Sequence, residues 1–260
     1  THEKPRFAFF QVFQPRGGGK RQAPTFDVVA PGIAKHEEEI VLAPGADPKS
    51  DPCLALRAAV AAAEFGLPIA PGTLQNLKSC PIDDRTWNDE SRSLFLRLLA
   101  SGPALLQVWE EIDFVDIPGR LIPEWLAIRN RPSASAAHRY TIDRHSVEVV
   151  TRLGRETPRG NRYDDRHYQA LLLAGILHDV GKRPGVFDHA AEGARHASMV
   201  LKRMGFDRDI IWWVTLLVRE HLTLSEFATG QNPNDPNVGD ELASRLDHDP
   251  LLLDMLFGLT

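Results

Sequence analysis

Apolar residues recur at spacings of three and four positions from residue 51 onward, which is the period of an amphipathic α-helix. Leu94 and Leu98 follow this spacing, as do Leu105, Val108 and Ile112. Core packing explains these positions, and no group of side chains before residue 130 indicates catalysis. The pattern predicts helices over residues 53–65, 72–78, 88–99, 103–114 and 118–129.

The same period continues through the second half of the chain, where polar residues mark helix ends. Asp143 is predicted to cap a helix that carries His145, and Gly205 is predicted to end another. Either Asp207 or Asp209 begins a helix that runs to His221. The predicted helices of this half cover residues 143–153, 168–180, 190–204, 208–221 and 250–259.

Residues 1–50 do not carry the helical pattern. Glycines and prolines interrupt this segment, and residues 25–29 and 39–42 are candidate short strands. The predicted fold class is therefore all-α. Its expected parts are an irregular segment over residues 1–50, a helical central region over 51–132 and a helical bundle over 133–260.

Composition narrows the class of protein. At 260 residues the chain has room for one large or two small domains. A net charge of -5 and a pI near 6.1 argue against a general nucleic-acid binder. Two cysteines favour a reducing, cytoplasmic compartment, and no apolar run approaches the roughly 20 residues of a membrane span. The chain does not begin with Met, so we expect a fragment or a processed chain.

The candidate metal ligands and catalytic residues begin at the end of one apolar helix. The run from Leu172 delivers His178 and Asp179 in succession, and Gly181-Lys182 follows. Burying an imidazole beside a carboxylate is costly unless something pairs them, and a divalent metal ion would do so. A lysine beside a metal suggests work on a phosphate. A second His-Asp pair, at residues 248–249, is interpreted as chance in a charged loop.

Three further histidines occupy suitable positions for ligands. His145 stands one helix upstream, His189 lies just downstream, and His221 ends the next apolar helix. Asp179 can bridge two ions, so His189 and His221 are candidates for a second one. Such a mixture of imidazole and carboxylate suits Mn, Mg, Fe or Zn. A single histidine is more often a structural or surface residue, and the other histidines, among them His138, His167 and His196, are interpreted so.

Lys182 has two interpretations. Residues 178 and 182 share a face if the helix continues, so the ammonium group could reach over the metal to a phosphoryl oxygen. Alternatively, the lysine is a cation at the helix C-terminus that interacts with the helix dipole. The phosphate role is favoured, with Asp179 and Lys182 as the catalytic residues.

His145, His178-Asp179 and Lys182, in this order, resemble the HD superfamily of metal-dependent phosphohydrolases. Five longer motifs are His138–His145, Leu173–Lys182, Asp188–Gly193, Val218–Leu222 and Asn234–Pro236. Their order resembles more closely the bifunctional uridylyltransferase/uridylyl-removing enzymes, over about residues 118–260.

The resemblance implies an all-helical HD domain with a divalent-metal centre. It also implies hydrolysis of the phosphodiester that joins UMP, or AMP in some relatives, to a tyrosine of the nitrogen-regulatory PII signalling protein. Neither nucleic acid nor a membrane is expected as a partner. The family's nucleotidyltransferase motif, a Gly-Ser before paired aspartates, is absent from this sequence, so no transfer is expected. Two alternatives stay open: an HD enzyme for free nucleotides and an inactive helical interaction module.

One departure from the family pattern concerns the closing ligand. The resemblance implies a late Asp just after a Leu-Thr pair, and this sequence ends at Leu259-Thr260. Asp254 lies about one and a half turns too early to replace it. We therefore expect that the chain as given lacks this ligand and binds metal weakly or not at all.

Overall fold

A computed structural model of the chain describes residues 25–82, 87–132, 140–156, 164–232 and 235–260. Residues 1–24 of the irregular segment lie outside the described residues. His138 lies within residues 133–139, which are not described, and the predicted domain boundary at residues 132–133 lies at the edge of that range. The division into three parts therefore stays a prediction.

A small antiparallel sheet precedes the helices. Its strands are β1 (Asp27–Ala30), β2 (Ile33–His36) and β3 (Glu39–Leu42), in the order β1-β2-β3. β1 and β3 confirm the two candidate strands, and β2 was not predicted. Ile33 and Ile40 are fully buried and anchor the sheet on the helical core.

The central region forms helices close to the predicted bounds. Asn88 and Ser91 make a reciprocal capping box, and Gly66 ends the first helix in the left-handed conformation that glycine tolerates. The elements are α1 (Leu54–Phe65), α2 (Pro71–Leu77), α3 (Asp89–Leu99), α4 (Pro103–Phe114), α5 (Ile117–Leu121) and a 3₁₀ helix (Pro123–Ala127).

The single helix predicted over residues 118–129 is wrong. α5 ends at Leu121, and Ile122 leaves the helical region with φ −132° and ψ 87°. Proline disfavours the helical conformation in the residue before it, so Pro123 forces this break. The 3₁₀ helix then begins at the proline.

The second half supplies seven helices within the described residues. α10 and α11 were not predicted, and α7 both begins and ends three residues earlier than expected. The helices are α6 (Ile142–Glu156), α7 (Asp165–Leu177), α8 (His189–Met204), α9 (Arg208–Glu220), α10 (Thr223–Gly230), α11 (Pro236–Arg245) and α12 (Pro250–Leu259).

Asp143 does not cap α6, because the helix already begins at Ile142. Its carboxylate instead accepts a hydrogen bond from the backbone N–H of Asn130 at 2.8 Å. Asp207, one of the two alternatives for α9, is the residue that caps that helix.

α7 is the centre of the helical bundle. Every residue from Ala170 to Leu177 is buried, which explains why this run is apolar on all sides. α3, α6, α9 and α12 contact α7, and α8 packs along α9. The all-α fold class is confirmed. Within the described residues, no helix has the length and apolar character needed to cross a membrane.

Candidate metal centre

Four helix ends bring the predicted ligands together. His178 directly follows α7, and Asp179 comes next in the turn that ends it. His145 lies in the first turns of α6, His189 is the first residue of α8, and His221 directly follows α9. His178, Asp179 and His221 are buried. Side chains that are distant in sequence therefore meet at one place beside the central helix.

The four imidazole rings form a continuous series. The ring centroids of His145 and His178 are 5.2 Å apart, and those of His178 and His221 are 5.3 Å apart. His189 follows at 5.4 Å from His221. The four predicted histidine ligands thus form one connected cluster.

The carboxylate of Asp179 lies between two of these rings. Its Oδ2 atom is 3.4 Å from Nε2 of His178, and its Oδ1 atom is 3.6 Å from Nε2 of His221. Two groups of three residues each have donor atoms within 4.8 Å of one another, and Asp179 belongs to both. The groups are His145, His178 and Asp179, and Asp179, His189 and His221.

Backbone carbonyl groups orient two of the imidazoles. Nδ1 of His178 is 2.8 Å from the carbonyl oxygen of Gly175, and Nδ1 of His221 is 2.7 Å from that of Val218. Each Nδ1 donates to its carbonyl oxygen, and Nε2 of each ring faces the carboxylate of Asp179. Histidine ligands of metal ions are commonly fixed by such a bond from the other nitrogen.

Three polar atoms at this place are buried without a hydrogen-bond partner among the described residues. They are Oδ1 of Asp179, Nε2 of His189 and Nε2 of His221. An imidazole lone pair and a carboxylate oxygen repel each other, so their close approach is unfavourable without a positive charge between them. The donor set therefore fits a divalent cation.

The electrostatic environment favours the ligand forms of these groups. Burial, and then the nearby His178, lower the pKa of His221 to about 4. Burial, and then Lys182, also lower the pKa of His189. Burial alone would raise the pKa of Asp179, but His178 and Lys182 outweigh it and hold that pKa well below its usual range. At neutral pH the two imidazoles are neutral and the carboxylate is ionised.

Gly181 allows α8 to approach the turn after α7. A Cβ atom at this position would lie 2.2 Å from the carbonyl oxygen of His189 and 2.4 Å from the backbone nitrogen of Gly193. No side chain fits in that space, because both neighbours are backbone atoms. The contact holds His189, at the start of α8, against the turn that carries Asp179.

Lys182 does not share a helical face with His178, because α7 ends at Leu177. That part of the expectation is wrong. Nζ of Lys182 instead donates to Oδ2 of Asp179 at 2.8 Å, and the side chain remains 21% exposed. A phosphate role for the lysine stays a prediction.

A cleft of about 410 Å³ opens beside His189. Arg219 and Arg245 line it together with Thr223, and the neighbouring Phe187 is fully exposed. Sequence reasoning missed these residues. Arg219 could have been found, because it precedes the predicted ligand His221 by two positions, but Arg245 is the last residue of α11, a helix that was not predicted.

The other histidines have separate contacts. Nδ1 of His167 is 2.8 Å from Oδ1 of Asp164, and Nε2 of His196 is 2.9 Å from Oε1 of Glu192. In the second His-Asp pair, Asp249 caps α12 by accepting from the backbone N–H of Leu251. This supports the interpretation of that pair as unrelated to the site.

Comparison with known proteins gives two findings. Residues 142–249 match the family model described as HD domain. The chain is 37% identical over 230 residues to the bifunctional uridylyltransferase/uridylyl-removing enzyme of Mycobacterium tuberculosis. The aligned part covers 88% of this chain and 28% of that protein. It is 38% identical over 247 residues to the enzyme of the same name from Streptomyces coelicolor. Here the aligned part covers 94% of this chain and 28% of that protein. The chain thus spans less than a third of the length of these relatives.

Proposed function

Because residues 142–249 belong to the HD domain family, a family of metal-dependent phosphohydrolases, we propose that this chain hydrolyses a nucleotidyl-tyrosine phosphodiester. The proposed substrate is a PII signalling protein that carries UMP, or AMP, on a tyrosine. The uridylyl-removing activity in the names of the relatives supports this substrate class.

The observation that carries the proposal is the position of Asp179. Its two carboxylate oxygens face Nε2 atoms of two different histidines, and one of these oxygens is buried without a partner among the described residues. Oδ1 of Asp179 and Nε2 of the neutral His221 ring face each other with no hydrogen-bond partner among the described residues, a contact that a cation between them would stabilise. A ligand that serves two cation positions explains both contacts.

The residues that would hold the cation are the five predicted from the sequence: His145, His178, Asp179, His189 and His221. Mn, Mg, Fe and Zn all accept such ligands. A bound divalent ion supplies Lewis acidity to the phosphoryl group. Its identity and the number of ions are properties that the experiments below measure.

The chain's own residues have defined tasks in this reaction. A water oxygen forms a bond to phosphorus while the bond from phosphorus to the tyrosine oxygen breaks. The proton that the water loses goes to bulk solvent and the departing tyrosinate takes one up from it, so a nucleoside monophosphate and tyrosine are the net products. Asp179 stays ionised because its pKa is far below the working pH, which makes it a ligand and a poor general base. Lys182 lies beside it and supplies a positive charge for the negative charge that develops on the phosphoryl oxygens.

The cleft beside His189 is the proposed place for the modified tyrosine and its nucleotide. Arg219 and Arg245 can pair with phosphate oxygens, and the exposed Phe187 ring offers a surface for stacking of a base. Arg245 pairs with Glu241 at 2.7 Å, and Glu220 lies 3.7 Å from Arg219 and 3.6 Å from Arg245, so carboxylates neighbour both guanidinium groups at the cleft.

The test compares two substrate classes with one matched pair of variants. The metal-loaded chain is incubated with nucleotidylated PII and, separately, with a panel of free nucleotides, and the released nucleoside monophosphate or phosphate is measured. We expect release from PII in the wild type and in His36→Ala, and no release in Asp179→Asn or after chelation. Hydrolysis of free nucleotides without release from PII would replace the proposed substrate. Activity that survives in Asp179→Asn would remove the site assignment.

A further inference from the structure

A second cavity, of about 190 Å³, lies between α4, the 3₁₀ helix and the start of α6. We call it the tryptophan cavity. None of the candidate metal ligands lines it. The residues that the argument uses are Trp109, Asp113, Trp125, Asp143 and Arg144.

Four polar atoms that belong to lining residues of the tryptophan cavity have no hydrogen-bond partner among the described residues. Two are donors, the indole N–H groups of Trp109 and Trp125, and two are acceptors, the Oδ1 atoms of Asp113 and Asp143. Trp109, Trp125 and Asp143 are each more than nine-tenths buried. Buried polar groups are almost always paired, so four such atoms at one cavity call for a ligand.

In the carboxylates of Asp113 and Asp143, one of the two oxygens has a hydrogen-bond donor among the described residues and the other has none. Oδ2 of Asp113 accepts from Nε of Arg129 at 3.0 Å, and Oδ2 of Asp143 accepts from the backbone N–H of Asn130 at 2.8 Å. The protein therefore fixes both side chains and leaves the second oxygen of each without a donor. This is the arrangement of a binding site that is formed before the ligand enters.

The charge of the lining favours a cation. Glu110, Asp113 and Asp143 are acidic, and Arg144 is the one basic residue among the lining residues. That arginine is already paired with Glu110 and lies 3.1 Å from Glu148. Asp113 is paired with Arg129, whereas the hydrogen bond that the structure gives to the carboxylate of Asp143 comes from the backbone N–H of Asn130, which carries no charge.

We propose that the tryptophan cavity binds a small organic ammonium compound that also carries a hydroxyl group, the chemistry of an amino alcohol. The ammonium group donates to Oδ1 of Asp113 and Asp143. The hydroxyl oxygen has two lone pairs and accepts from both indole N–H groups. The two indole rings, 5.3 Å apart and inclined at 64°, provide apolar and cation–π contact. A bare metal ion satisfies the carboxylates but leaves the indole donors unpaired. The proposal does not rest on the hydrolase function.

Ethanolamine is the probe for this site, titrated calorimetrically into the chain in a buffer free of Tris, which is itself an amino alcohol. Ethylamine lacks the oxygen, ethylene glycol lacks the charge, and glycine adds a carboxylate that the acidic lining repels. We expect saturable binding of ethanolamine, binding of ethylamine and glycine weaker by about tenfold, and no binding of ethylene glycol. Equal binding of any comparator, or no saturation with ethanolamine at about 10 mM, would overturn the proposal.

Variants locate the binding. Asp143→Asn keeps an acceptor for the N–H of Asn130 but loses the charge, and Trp125→Phe keeps a ring but loses the N–H. We expect each to weaken ethanolamine binding by about tenfold, whereas Asp249→Asn and Trp212→Phe, which alter a distant cap and an exposed ring, leave it unchanged. Circular dichroism confirms folding of each variant. A crystal soaked in ethanolamine that shows only waters in the cavity would contradict the proposal.

Discussion

Nζ of Lys182 lies 2.8 Å from Oδ2 of Asp179, inside the candidate metal centre. The lysine thus neutralises part of the charge on one carboxylate oxygen, while the other oxygen faces His221. The two residues are three positions apart in the turn after α7, so this is a local contact that brings the ammonium group to a carboxylate only 1% exposed. The contact places a positive charge beside the proposed reaction centre and leaves the imidazole nitrogens available.

Replacing Lys182 tests its assigned task. We expect Lys182→Met to keep the metal content of the chain and to lower the rate of nucleotide release by about a hundredfold, because one charged donor to the developing phosphoryl charge is lost. Metal content is measured by elemental analysis and release by single-turnover kinetics. The exposed Lys202 at the end of α8 provides the control variant Lys202→Met. Loss of metal together with activity would show that the lysine acts through Asp179 alone.

The two groups of three candidate ligands predict that variants in one group, in the other group, or in the shared Asp179 bind different numbers of metal ions. His145→Ala removes a ligand from one group, and His189→Ala removes a ligand from the other, so each is expected to keep about one ion per chain when the wild type holds two. Asp179→Asn belongs to both groups and is expected to lose both ions. Elemental analysis after gel filtration measures the ratio, and His36→Ala is the control. Equal loss in all three variants would contradict two separate positions.

Gly181 is expected to be required for the site as well as for stability. Gly181→Ala places a Cβ atom against backbone atoms of His189 and Gly193, so α8 must shift. We expect a loss of about 1–3 kcal/mol in the free energy of unfolding, together with weaker metal binding. Chemical denaturation and metal titration measure the two effects. Gly72→Ala is the control, because nothing lies within 4 Å of a Cβ at that position; equal behaviour of the two variants would contradict the close-packing argument.

An ion pair between the central region and α8 predicts part of the acid sensitivity of the fold. Arg203 donates to both oxygens of Glu124 at 2.7 Å and 2.6 Å. Burial would raise the pKa of Glu124, but Arg203 outweighs it and the pKa is lowered. The stabilisation is therefore fully present above the ordinary pKa near 4.3 and is lost as the pH falls through the lower value of the folded state.

We expect Glu124→Gln to cost about 2 kcal/mol of unfolding free energy at neutral pH, because it replaces two charge-assisted hydrogen bonds to a nearly buried carboxylate by bonds to a neutral amide. The difference from the wild type should shrink as the pH falls below about 4. Urea unfolding across this range is the measurement. Glu64→Gln, which alters a half-exposed pair with Arg97, should cost less than about 1 kcal/mol. A constant difference at every pH would contradict the ion-pair account.

Much of the fold could be predicted from local signals. The bounds of α4 and α12 match the predicted ranges, because proline at the first helical position and an apolar period leave little choice. α11 was missed although Asp235-Pro236 is a cap followed by a proline. α10 begins without a side-chain cap, so its sequence offered no comparable start signal.

The sequence predicted which residues could form the candidate site, but it did not predict how they are arranged in space. His178 and Asp179 stand out because polar ligands end an apolar helix, and the other histidines were inferred from their positions at helix ends. What the sequence could not provide is the packing across elements, such as the backbone contact at Gly181 that places His189. The tryptophan cavity was not predicted for the same reason, since Trp109 and Trp125 have the spacing of ordinary core residues.

The central claim is that Asp179 is a shared ligand for a divalent cation. Anomalous diffraction from crystals of the chain grown with Mn²⁺ tests it most directly. The account predicts an anomalous peak in coordination contact with an oxygen of Asp179 and with Nε2 of His178 or His221. Full occupancy of Mn²⁺ elsewhere, with the carboxylate and both imidazoles left without an ion between them, would contradict it.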